Sequence, residues 1–289
     1  MSGTLFRTTA RAALVAAAAL ALGAREAAAV HVSPAVLYID ARTREGVVTL
    51  YNSGKHPEEI ELGFQWGAHV SDAEGVVRLV LADSAPADAP SALSWVRAYP
   101  RRLVLAPGES QVVRIIVRPP AGVAAGEYWA RLVVNAVPQV PAVEQTQGQA
   151  TMRLRIGTRI VGGLHFRVGR LSTSLAVERA SARRDSGKVH LTVDLARGGN
   201  AAFIGRVRAR LLDAGGAVVG TEYVEPITVY RGVRWRFSIP AADAARVATV
   251  EYTFDTQRDD LPDGTALRAD PVQGRVNLGE GAANAARGR

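Results

Sequence analysis

The sequence predicts an all-β protein built as two sandwich domains. Apolar residues come in short runs rich in Val, Ile, Leu and Tyr. Clusters of Gly, Pro, Asn and Asp divide these runs, which is the pattern of antiparallel strands and turns. The same theme recurs in the second half of a 289-residue chain, a length that suggests about two domains.

The first segment stands outside that pattern. Arg7 and Arg11 precede an apolar run, Ala12–Ala24, that is too short to span a membrane. Ala27-Ala28-Ala29 supplies small residues for cleavage before Val30, so residues 1–29 read as a signal peptide and the mature protein as exported. Three cations and one anion leave with the signal, so the formal charge falls from +8 to +6. No later segment is long and apolar enough for a transmembrane helix. The chain has no Cys, so its stability must come from packed cores rather than disulfides.

In the first half, strands are expected at Ala35–Ile39, Glu45–Tyr51, Glu59–Gly67, Val76–Leu81, Val96–Tyr99, Arg102–Leu105, Gln111–Arg118, Gly126–Ala136 and Ala150–Val161. Asn52-Ser53-Gly54, Asp72 with Gly75, Ala106-Pro107-Gly108-Glu109 and Arg118-Pro119-Pro120 mark the turns. Gln139–Gln149 lacks periodicity and reads as a mobile loop, and Gly162-Gly163 reads as a strand break before a second domain. In Ala150–Val161, Met152, Leu154 and Ile156 alternate with Arg153, Arg155 and Gly157. A period of two sets an apolar row against a largely cationic one. Read alone, that row packs in its own core or is offered to another chain.

The second half places strands at Leu175–Ala180, Lys188–Ala196, Ile204–Asp213, Ala217–Val224, Thr228–Tyr230, Arg234–Ile239 and Ala248–Phe254. The expected division is 1–29 signal, 30–163 first domain, 164–256 second domain and 257–289 a polar tail without forced structure.

The chemistry-bearing residues assemble into no catalytic motif. His31, His56, His69, His165 and His190 show no metal-ligand spacing, so no metal and no cofactor are expected. There is no Gly-x-Ser-x-Gly elbow. Asp72 and Glu74 read as a solvated turn, and Trp66, Trp95, Trp129 and Trp235 as sandwich-core residues. The arginines are scattered through strands without interleaved aromatic stacking positions, so no nucleic-acid partner is expected. The chain is read as a non-enzyme.

An ordered set of segments resembles the periplasmic chaperones of chaperone–usher pilus assembly. It comprises Val32-Ser33-Pro34, then Val47–Gly54, then Tyr99-Pro100 through Pro107-Gly108 to Ile115, then Gly126-Glu127-Tyr128-Trp129 through Val137-Pro138. Asp194–Asn200 and Val207–Gly216 match the family's smaller domain, so the resemblance covers about Val32–Phe254. It implies two immunoglobulin-like sandwiches with a cleft between them, a periplasmic location, and an ATP-independent role. That role is the capping of pilus or fimbrial subunits by donor-strand complementation and their delivery to an outer-membrane usher.

By the family pattern Ala150–Val161 is the lent strand, and Met152, Leu154 and Ile156 are the inserting residues. Each would be worth roughly 1.5–3 kcal/mol on burial. The family also anchors the subunit's terminal carboxylate with an Arg and a Lys, whose positions here read as Val36 and Val161, neither of which can pair with it. Arg155, Arg159 and Arg167 are the substitutes, since guanidinium binds carboxylate in bidentate fashion. The alternative reading is an exported structural or adhesive protein of a surface fibre, and a self-capping oligomer is left open. A carbohydrate-active or other hydrolase with β accessory domains is the third class, and no site residues support it.

Overall fold

The computed structural model describes residues 30–140, 143–147, 150–154 and 156–278. For 143–147 and 150–154 it describes the backbone pairing alone. The first twelve strands are β1 (Val30–Ser33), β2 (Val36–Asp40), β3 (Glu45–Asn52), β4 (Glu58–Ser71), β5 (Val77–Ala82), β6 (Val96–Tyr99), β7 (Arg102–Leu105), β8 (Ser110–Val117), β9 (Gly126–Pro138), β10 (Val143–Gln147), β11 (Ala150–Leu154) and β12 (Thr158–Val168). Seven more follow: β13 (Thr173–Asp185), β14 (Lys188–Gly199), β15 (Phe203–Leu212), β16 (Tyr223–Val229), β17 (Val233–Pro240), β18 (Thr249–Asp255) and β19 (Val272–Asn277).

The first domain packs the sheet β1-β3-β8-β6 against the sheet β2-β12-β9-β4-β5, with β7 added on β4. With β1, β3, β8 and β6 taken as strands A, B, E and D, the first layer has the A-B-E-D order of the immunoglobulin fold, and in the other layer β2 alone joins in parallel, on β12. The second domain is again a two-layer sandwich, with β13-β14-β17 over β16-β15-β18-β19. The all-β, two-sandwich class expected from the sequence is the observed one.

Each core follows from strict alternation. Along β8, Val113, Ile115 and Val117 are buried while Val112 and Arg114 between them face solvent. The first core joins Val48, Leu50, Ile60, Leu62, Leu164 and Phe166, and the second joins Leu191, Val193, Phe203, Phe237, Val250 and Phe254. The expected turn at Asn52 is held by that buried side chain. Its Nδ2 donates to the carbonyls of His56 (2.8 Å) and Leu105 (2.9 Å), tying one turn to a distant strand.

Five expectations change. β12 runs unbroken through Gly162 and Gly163. A Cβ at Gly162 would lie 2.9 Å from the Ala35 carbonyl oxygen, and one at Gly163 would lie 3.0 Å from Val36 Cγ1. The glycines therefore admit the close parallel approach of β2 rather than end the strand. The expected loop 139–149 contains β10, hairpinned to β11 with Val143 opposite Leu154 and Gln147 opposite Ala150. The strand read as Ala150–Val161 is divided into β11 and β12 by residues 155–157. The expected tail is not all tail, because β19 completes the second domain's sheet on β18. In Ala217–Val224, read as one strand, only a bridge at Val218 and the start of β16 form.

The domains meet along several contacts. Asn200 Nδ2 donates to the carbonyls of Ala125 and Arg170, both at 3.1 Å, and the Asn200 carbonyl accepts from Glu127 N–H at 2.9 Å. The preceding Gly199 has φ +80°, and a Cβ there would lie 2.3 Å from the Ser172 carbonyl oxygen, so the turn requires glycine.

Candidate strand-donor edge and domain seam

β12 pairs with β9 along its whole length but with β2 only from Gly163 to Arg167. Residues Thr158–Gly162 therefore keep one edge without a strand partner among the described residues. β11 likewise pairs with β10 alone among them. Unpaired edge groups are a template for a further strand. Met152 and Leu154 lie on β11 opposite Gln145 and Val143, and their side chains lie outside the described residues. Ile156 falls in the break between β11 and β12, with 73 % of its surface exposed. Its apolar side chain makes no core of its own.

Beside this edge, registers align residues in rows across one sheet face. One row runs Val36, Gly163, Arg131, Gln65, and the next runs Tyr38, His165, Trp129. Of the anchor candidates, Arg159 is exposed and donates to Gln65 Oε1. Arg167 is committed internally: Nε donates to Glu127 Oε2 and Nη2 to the Thr265 carbonyl, both at 2.8 Å. Arg155 lies outside the described residues. Arg131 was not singled out from the sequence. It is 7 % exposed and lies against Gly67, its Nε donating to the Gly67 carbonyl at 3.3 Å. The available signal was a lone Arg within the otherwise apolar stretch Trp129–Val134 of β9.

The seam between domains is a chain of buried polar groups. Glu127 Oε1 accepts from the His165 Nδ1–H (2.9 Å) and from Ala202 N–H of the second domain (3.2 Å). The other ring nitrogen, His165 Nε2, meets Tyr230 Oη at 3.0 Å, and Arg131 Nη1 donates to that oxygen at 3.3 Å. With Arg131 donating to it, the Tyr230 hydroxyl is placed to give its own proton to Nε2. Tyr38 stacks on His165 at 4.7 Å, and the Arg131 guanidinium lies 4.7 Å from the Tyr230 ring centre. Burial works to raise the Glu127 carboxyl, but the facing His165 and Arg167 outweigh it and hold it at about 2. Burial pushes the Tyr230 and Tyr38 phenols up and the His69 imidazole down.

This chain of groups has the look of a proton relay, but Glu127 is 0 % and His165 1 % exposed, so no substrate can reach them. Its effect is to join the domains. Among the described residues no group of three or more His, Cys, Asp or Glu is placed to hold a metal ion. No helix among them is long and apolar enough to cross a membrane.

No family model and no curated protein matches the chain. Solved structures similar to it include the YadV chaperone, at 13% identity over 86% of this chain and 100% of that chain, with a TM-score of 0.45. Another is the Salmonella enterica SafB chaperone in complex with the SafA pilin, at 12% identity over 87% and 98%, TM-score 0.42. A third is the Pseudomonas aeruginosa CupB2 chaperone, at 14% identity over 86% and 100%, TM-score 0.39.

Proposed function

We propose that the chain is an exported, ATP-independent chaperone that caps subunits of a surface pilus or fibre by lending them a strand. The observation that carries this reading is the open edge of Thr158–Gly162, continued by the β10–β11 hairpin. A subunit with an incomplete sandwich would pair its backbone along this edge, giving affinity that tolerates sequence change. Met152, Leu154 and Ile156 would fill its groove, with Ile156 standing in solvent until then. Arg159 is the exposed cation within the open edge and is the residue we assign to a subunit carboxylate. Arg167 and Arg131 serve the seam instead. Handing the subunit to an outer-membrane usher, after export to the periplasm, completes the proposal.

The absence of a cation at Val36 and Val161 favours the second reading, an exported fibre component. Co-expression with a fibre subunit separates the two. On the first reading the chain keeps the subunit soluble, and Met152→Asp with Leu154→Asp abolishes that protection. Unchanged subunit recovery with the double variant removes the donor role.

A further inference from the structure

A second polar site lies away from the strand edge, where the first domain touches the outer face of the β13-β14-β17 sheet. The tip of the β4–β5 hairpin is pinned there by two main-chain carbonyls. Gly75 O accepts from Arg236 N–H at 2.8 Å, and Ala73 O accepts from Arg234 Nη1 at 3.1 Å. Gly75 has φ +81°, and a Cβ there would lie 3.1 Å from Arg236 N, so tip and strand are in close contact. The tip walls one side of a cavity of about 310 Å³. Cross-strand rows build its floor: Arg179, Asp194, Arg234, then Ser181, Thr192, Arg236. A register shift between Val177 and Arg179 sets Arg179 in the first row, the kind of re-aiming a β-bulge produces.

The charges here do not balance. Arg179, Arg183, Arg234 and Arg236 line the cavity against two carboxylates, Asp194 and Glu74. Asp194 is taken by Arg234 in a two-pronged pair, at 2.6 and 3.0 Å. That pairing, helped by Arg179, holds the Asp194 carboxyl below its ordinary value against a smaller cost of burial. Arg183 reaches Asp185 at 3.7 Å, outside the cavity. The guanidinium groups of Arg179 and Arg236 make no hydrogen bond or ion pair with any described residue. Ser181 and Thr192 add hydroxyl donors between them.

We infer that this cavity binds a phosphoryl dianion, held between Arg179 and Arg236 across the Ser181 and Thr192 hydroxyls. Arg179 and Arg236, neither in an ion pair, offer planar forks of N–H donors that suit the oxygens of a doubly charged oxyanion, with Glu74 the one carboxylate of the lining left to oppose them. Because one wall comes from each domain, an occupant would join them without using the strand edge. The site stands independently of the chaperone reading.

Titration calorimetry on the full chain tests it, with inorganic phosphate and glycerol phosphate against sodium chloride at equal ionic strength. Saturable one-to-one binding is expected, weakened roughly tenfold or more in Arg179→Gln with Arg236→Gln, as lost charge-assisted hydrogen bonds imply. Arg42→Gln with Arg97→Gln, on the other domain, is the control expected to bind like the parent. Competition by phosphatidic acid vesicles, whose headgroup is a phosphomonoester, assigns the phosphoryl group to a lipid headgroup, and its lack assigns it to a soluble phosphate. Heats no larger than those of chloride, or equal binding by the double variant, overturn the site. So does binding of polyglutamate or vesicles without any binding of phosphate. The unfolding midpoint of the double variant in phosphate-free buffer verifies that it folds.

Discussion

Tyr230 of the second domain and His165 of the first meet at 3.0 Å, and neither has solvent around it. The pair sits between two guanidinium groups, Arg131 on the Tyr230 side and Arg167 across Glu127. One link of hydrogen bonds thus crosses the boundary from β9 and β12 to the β16–β17 turn. Domains in one chain move against each other by default unless such contacts hold them.

Tyr230→Phe removes the shared oxygen and leaves Arg131 Nη1 and His165 Nε2 without it. Lost satisfaction of buried groups costs about 1–3 kcal/mol. Urea unfolding is expected to show that loss, and calorimetry a parent that unfolds in one transition against a variant that unfolds in two. A variant as stable as the parent would show that the seam does not hold the domains.

Glu127 sets the acid limit of the seam. Its carboxyl is held at about 2 against an ordinary 4.5. A lowered value in the folded state means the contribution is complete above the ordinary value and is lost as pH falls toward the lowered one. The parent's urea midpoint is expected to drop over that window. Glu127→Gln should start lower, because a broken buried pair costs about 3–5 kcal/mol, and should lose this component of the drop. Parallel profiles for the two proteins would contradict the assignment.

Gly67 makes room for Arg131. A Cβ there would lie 2.7 Å from Arg131 Cγ and 2.8 Å from Leu81 Cδ2. Gly67→Ala should displace Arg131 from its carbonyl and from Tyr230, at about 1–3 kcal/mol. The check is the same unfolding assay, in which Gly63→Ala, with open space around its Cβ, is the comparison expected to change little.

The alternation of apolar and polar residues made most strands legible, and β3, β7 and β8 fall within a residue of their expected ends. Gly162-Gly163 misled because glycine marks both strand breaks and close backbone approach, and only the position of β2 tells them apart. β10 was missed because Val143–Gln147 has almost no apolar pattern and is held by pairing with β11. The seam was not legible at all. Glu127 and Arg131 on β9, His165 and Tyr230 come from three separate stretches of the sequence, and their meeting depends on how the two sandwiches dock.

Ile156 and Arg159 separate capture from stability. Both are exposed, so Ile156→Asp and Arg159→Ala should each change the chain's own unfolding by less than about 0.5 kcal/mol. Both should weaken capture of a fibre subunit in a pull-down at limiting concentration. Loss of capture together with loss of fold would assign these residues to the chain's own architecture.

Amide hydrogen exchange on the chain with and without a bound fibre subunit addresses the strand edge directly. Strand donation predicts new protection concentrated in Ala150–Leu154 and Thr158–Gly162, while the β13–β19 strands keep their free-state rates. A stable complex in which those two segments exchange as fast as before would contradict it.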